Sequence, residues 1–220
     1  MQERTLFSLT PVQVNQFARE NLKAMEFLNI ATQDYIAARC CLINGLFSGL
    51  VLSAQAVEKY LKAYNLFLTP SKNTRKLSHK VQDLAAEIYS LDPGLELSPH
   101  RELIKRLEAH YQTRYPDNLG ASTSQSTGEI HEIDTLIILV NKQMPIPLEV
   151  KLRSGLYSRL FHGKARGYDS GCNDEYWLLR DNRALSIELQ EIVGNCNALE
   201  KFLENLRQQR LHILSDKDAY

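Results

Sequence analysis

The sequence predicts an all-α protein, an antiparallel up-and-down helical bundle of four to five helices with a C-terminal extension. Three observations predict it. Between Leu46 and Leu68, apolar residues fall at Leu46, Leu50, Ala54, Val57, Leu61, Tyr64 and Leu68, in steps of 4, 4, 3, 4, 3 and 4. That spacing is one continuous stripe on one α-helix. Leu185, Leu189, Ile192, Cys196, Leu199, Leu203 and Leu206 alternate steps of 4 and 3, an a/d seam that must pack on the bundle or on a second chain. Strand patterning, by contrast, is confined to one short alternation of Leu148, Val150 and Leu152 with charged residues.

Each element follows from local signals. Thr10 then Pro11 reads as a hydroxyl cap with proline in the first helical position. Phe17, Ala18, Leu22, Met25 and Leu28 continue at helical spacing, and a second helix is expected over 32–42 with Tyr35, Ala38 and Leu42 on one face. The 46–68 helix ends at Pro70, followed by a polar loop over 71–78 that carries Lys72, Arg75 and Lys76. A helix over 79–91 (Val81, Leu84, Ala85, Ile88) runs into an Asp92-Pro93-Gly94 turn. Ser98 and Glu102 open another, through Leu103, Ile104, Leu107 and His110. The stretch 118–128, nearly all small and polar, reads as a loop. Helix returns over 131–142, with Ile133, Leu136, Ile137 and Val140 inside. The stretch 145–182 is rich in Gly and Pro and reads as a partly irregular insertion with basic and aromatic residues, including a possible strand at 148–152. A long helix over 183–211 closes the chain. The resulting division is an N-terminal helix (1–29), a helical core (30–144), the irregular segment (145–182), and a C-terminal long helix and tail (183–220).

Composition narrows the function classes. The chain has 220 residues, 26 Lys and Arg against 26 Asp and Glu, and 44% hydrophobic residues. It is long enough for a real core and carries no global charge to steer it toward nucleic acid. Any charged partner must be met by a local patch. Cys40, Cys41, Cys172 and Cys196 follow no zinc or disulfide spacing, and read as reduced thiols of a cytoplasmic protein. The first ten residues lack the basic-then-apolar order of a signal peptide, and no run is long and apolar enough for a membrane span. No phosphate-cradling glycine loop, nucleophile elbow or metal-binding His pair occurs; no cofactor, metal or membrane partner is expected.

The run Gln55-Ala56-Val57-Glu58-Lys59-Tyr60-Leu61-Lys62-Ala63 resembles the QA-x-EK-x-x-KA signature of HEPN domains, the nucleotide-binding helical bundles of higher eukaryotes and prokaryotes. Asp34-Tyr35 and Ala38-Arg39 upstream, His79 with Leu84, and Arg114-Tyr115-Pro116-Asp117 resemble further elements of the family in the same order. The resemblance spans roughly residues 30–144. It implies a four-helix core that commonly pairs into a homodimer. Many family members are encoded beside a minimal nucleotidyltransferase in toxin–antitoxin pairs, and others are metal-free ribonucleases carrying Arg, four to six residues, then His. Such a His can move the 2′-hydroxyl proton while the Arg stabilises phosphate charge.

Here only Arg207 and His212 meet that spacing, at the far end of the last predicted helix and outside the resembling region. They are the candidate catalytic pair; the competing reading is a solvated helix end whose cations suit the helix dipole. Arg75 with His79 and Arg106 with His110 fall one residue short. Gln55, Glu58, Lys59 and Lys62 admit two readings: bundle-fixing ion pairs, or a polar lining that receives a nucleotide or phosphate. Arg114 is open to the same two. Lys151, Arg153, Arg159, Lys164 and Arg166, interleaved with Tyr157 and Phe161 and without an acid between them, are candidate RNA contacts. The sequence therefore reads as a HEPN-type protein that binds nucleotide, nucleic acid or a nucleotidyltransferase partner, in a toxin–antitoxin or defence-type module and as a homodimer. A ribonuclease and a non-catalytic helical scaffold are the alternatives.

Overall fold

The structure, a computed structural model, describes residues 9–70, 77–112, 127–162 and 174–193. Every regular element among them is helical. Ten α-helices follow in order: α1 (Pro11–Glu20), α2 (Leu22–Ile43), α3 (Ser48–Leu68), α4 (Val81–Leu91), α5 (Arg101–Gln112), α6 (Ile130–Gln143), α7 (Leu148–Arg153), α8 (Gly155–His162), α9 (Asp174–Leu179) and α10 (Arg183–Val193).

The Thr10 start is as expected. The Thr10 hydroxyl accepts from the Gln13 amide at 3.3 Å, and the Gln13 side chain accepts from the Thr10 amide at 2.8 Å, closing a capping box ahead of Pro11. The next expected boundary is displaced. A break near residue 30 was expected; instead α2 runs unbroken, because the interruption falls at Asn21, whose side chain donates to the Phe17 carbonyl at 2.9 Å, and nothing between 22 and 43 breaks a helix.

Helix α3 is the axis of the molecule. It packs against α2, α4, α5 and α6, and buries residues on every side, among them Leu50, Ala54, Val57, Tyr60, Leu61 and Tyr64. The stripe read from sequence is thus the centre of a wider apolar surface, as a helix ringed by others requires. Helix α2 is covered twice: α3 lies on one side, and α8 and α9 meet it as well. Its turn into α3 is tight. A Cβ on Gly49 would stand 2.8 Å from the Ala38 carbonyl oxygen and 2.6 Å from Leu42 Cγ. Gly49→Ala should therefore cost about 1–3 kcal/mol of stability by forcing α2 and α3 apart; an unchanged urea midpoint would show that the pair has room to give.

The segment after Pro145 is more regular than its composition suggests. The expected strand at 148–152 is helix α7. Its alternation was not inside-outside: Glu149 is as buried as Val150 and Leu152, and its carboxylate accepts from the Leu9 amide at 2.8 Å. Gly155 follows at φ +58°, where a side chain would strike Leu28, and its amide donates to Asn29 at 3.0 Å, seating α8 on α2. Of the 185–206 seam, Leu185 is fully buried and Leu189 packs against the same core, through α10 on α6. Residues 194–211 of the expected long helix, 118–126 of the loop expected over 118–128, and 71–76 of the loop expected over 71–78 lie outside the described residues.

Candidate functional site

The signature run lies on the middle turns of α3, and its charges meet partners within the helix and from neighbouring elements. Lys59 pairs with Asp34 of α2, with each side chain about a quarter exposed or less. Lys62 donates to Glu58 one turn back at 2.7 Å, in the favoured order for an i, i+4 pair. Both of these side chains are nearly buried, 5% and 8% exposed. The Lys62 ammonium also stands 5.9 Å from the centre of the Phe27 ring on α2, within reach of a cation–π attraction. Gln55 is half-buried.

The Glu58–Lys62 pair opens to solvent through one side chain. His79, just before α4, places Nδ1 3.1 Å from the Glu58 carboxylate and 3.3 Å from the Lys62 ammonium, while its side chain is 79% exposed. Two arrangements satisfy this geometry. With the proton on Nδ1, it donates to Glu58 and Nε2 is a free base; with the proton on Nε2, Nδ1 accepts from Lys62 and Nε2 is a free donor. In either, the outward edge of the ring is held by a buried ion pair. This is a constellation that can contact a phosphate oxygen or move a proton. Sequence reading placed Gln55, Glu58, Lys59 and Lys62 on one helix but left His79 and Asp34 out of the site. The signal for His79 was its place in the family-like order. Nothing local marked Asp34 as the partner of Lys59.

Of the second predicted cluster, Lys151, Arg153 and Arg159 lie among the described residues. The Lys151 ammonium donates to the Lys142 carbonyl at 2.6 Å, and burial pulls it down to about 8, with Lys142 adding to the effect and Glu188 opposing it. Arg153 is half-buried, and burial lowers its affinity for the proton too. Arg159 pairs with Asp174 at 3.2 Å. Lys151 thus reaches back to the end of α6 and Arg159 across to the start of α9, so these two members of the expected RNA-facing row are engaged within the fold. Tyr157, expected as a stacking platform, is buried and donates to Glu188 at 3.1 Å. Arg114, Lys164, Arg166, Arg207 and His212 lie outside the described residues.

A third polar cluster was not anticipated. Arg39 of α2 and Asp134 of α6 form an ion pair at 1% and 2% exposure. Tyr35 donates to the same carboxylate at 2.6 Å, and Arg39 donates further to the Trp177 carbonyl at 2.7 Å and to that of Arg180. Burial pushes the Asp134 carboxyl above its ordinary range, and the Arg39 and Tyr35 contacts pull it back. In the sequence Tyr35 and Arg39 stand out only as family-like elements upstream of the signature run, and nothing near Asp134 pairs it with them. This cluster is shielded from solvent and serves architecture.

Among the described residues no three His, Cys, Asp or Glu side chains converge to hold a metal ion, and no helix is long and apolar enough to cross a membrane. The sequence model of the HEPN domain matches residues 24–143. No curated protein matches the chain, and no solved structure does.

Proposed function

The chain belongs to the HEPN domain family, which points to a nucleotide- or RNA-related role, and on that premise we propose that it is a non-catalytic RNA- or nucleotide-binding member acting in a toxin–antitoxin or defence-type module. The observation that supports this reading is the Glu58–Lys62–His79 constellation, in which a near-buried ion pair on the signature helix holds an exposed imidazole. In this reading His79 touches a phosphate oxygen of the ligand through Nε2, and Lys62 supplies the fixed charge behind it. Gln55, Lys59 and its partner Asp34 flank the same face of α3. Arg114, Lys164 and Arg166 extend the contact along the nucleic acid. The protein acts in the cytoplasm as a homodimer, beside a nucleotidyltransferase of the kind that accompanies many family members.

The test is binding of labelled single-stranded RNA, and separately of ATP, at two salt concentrations, with cleavage scored on a gel from the same tubes. Binding that weakens with salt, drops about tenfold or more in Lys62→Met and His79→Ala, and leaves the RNA intact is the expected result. Cleavage that survives a chelator and is lost in His212→Ala would move the assignment to a metal-free ribonuclease using Arg207 and His212. Absence of both binding and cleavage would leave the helical scaffold.

A further inference from the structure

The hairpin formed by α9 and α10 lies beyond the region that matches the family, yet it is fastened to α2 and α6 by the buried polar cluster. Arg39 reaches across to take the carbonyls of Trp177 and Arg180, at the last turn and the exit of α9. A cation there also suits the negative end of that helix. Asn182, buried at 1% exposure, works in two directions. Its oxygen accepts from the Leu185 amide at 3.0 Å, capping α10. Its nitrogen donates to the Tyr35 hydroxyl at 2.9 Å, and that hydroxyl donates to Asp134. Asp181 makes the turn between the helices at φ 55°. Arg39, Tyr35, Asp134 and Asn182 are thus one connected unit shared by three parts of the chain.

Such a unit resists partial opening. Lifting α9 alone would strip the guanidinium of two acceptors while it stayed buried; lifting α10 alone would take the Asn182 donor from Tyr35 if Asn182 moved with the helix, or the Asn182 cap from α10 if it stayed behind. Buried polar groups left without partners are costly, so the low-cost route is release of the whole hairpin, which lets water reach every member at once. The apolar grip is modest. Among the described residues of the hairpin, only Leu178 and Leu185 are fully buried hydrophobics, whereas α3 buries residues along its whole length. Segments with few buried apolar contacts open below the global free energy.

We propose that the α9–α10 hairpin is a latch that docks and releases as one unit, held by the Arg39–Asp134–Tyr35–Asn182 network, while the α2–α6 bundle stays folded. Its function is to cover the outer face of α2 and α6, so that release uncovers that face with the Arg39 guanidinium at its centre.

The molecule carries its own probe: Trp177, the single tryptophan of the chain, sits on α9 beside the Arg39 contact. Urea unfolding of the full chain is followed by Trp177 fluorescence and by far-UV circular dichroism. The fluorescence change is expected at lower urea than the loss of helix. Asn182→Ala should raise the released fraction about tenfold, moving the fluorescence transition down while leaving the helix transition near its original position. Tyr35→Phe, which keeps the ring and removes the hydroxyl, should do the same to a smaller extent. Superimposed fluorescence and helix transitions in the wild type and in Asn182→Ala would overturn the proposal, as would the two transitions moving down together in either variant. Both outcomes would make the hairpin part of the single cooperative core.

Discussion

Asp134→Ala should be the most damaging single polar substitution in the bundle, costing the docked, folded state about 3–5 kcal/mol. The reason is asymmetry. The ion pair itself adds little, because both charges give up hydration to reach the interior. Removing one partner leaves the Arg39 guanidinium buried at 1% exposure with only neutral acceptors. The lowered urea midpoint should be read first in Trp177 fluorescence, since opening the hairpin brings water to the stranded cation. Replacing both residues at once with apolar side chains, Arg39→Met with Asp134→Leu, should recover most of the loss. Lys59→Ala, which breaks the more exposed pair with Asp34, should cost no more than about 1 kcal/mol. Equal, small effects from Asp134→Ala and Lys59→Ala would show that water already reaches the Arg39 pair.

The second large effect is alkaline unfolding. Tyr35, Tyr60 and Tyr157 are buried, and burial is the main cause that raises each phenol above its ordinary value of 10.0; for Tyr35 and Tyr157 the charges of Asp134 and Glu188 push the same way. A group whose proton is held more tightly in the folded state stabilises that state below the ordinary value, and the contribution is lost as pH rises above it. Each such tyrosine removes about 1.4 kcal/mol per pH unit above 10, so three remove about 4 kcal/mol per unit. Against a total stability of about 5–15 kcal/mol, the bundle should unfold cooperatively between about pH 11 and 12. Phenolate absorbance should then show two populations among the ten tyrosines. One of them, the buried rings, appears only as the structure around them opens. A single smooth titration near pH 10 with helix retained would refute this.

Much of the fold was legible because helices are local. The α3 stripe, the Thr10 cap, the Pro70 stop and the Asp92-Pro93-Gly94 turn are each written within a few residues, and each stands in the structure. The misreadings came where that rule ends. Helix α2 lacks a single stripe because it is covered from two sides, so its length was underestimated. The alternation at 148–152 imitated a strand because Glu149, charged and counted as outward, is buried against the Leu9 amide. In the site, the signature identified Glu58, Lys59 and Lys62 but not what they face.

Local spacing thus determined the helical class, the position of the central helix and the residues that mark the family. Which charges meet was decided by docking. Arg39 and Asp134 are 95 positions apart, Tyr35 and Asn182 147, and Glu58 and His79 21. Periodicity reports only which side of its own helix a residue occupies. Whether a cation there binds a ligand, as proposed for the His79 edge, or closes the fold, as Lys151 and Arg159 do, depends on what the rest of the chain brings against it.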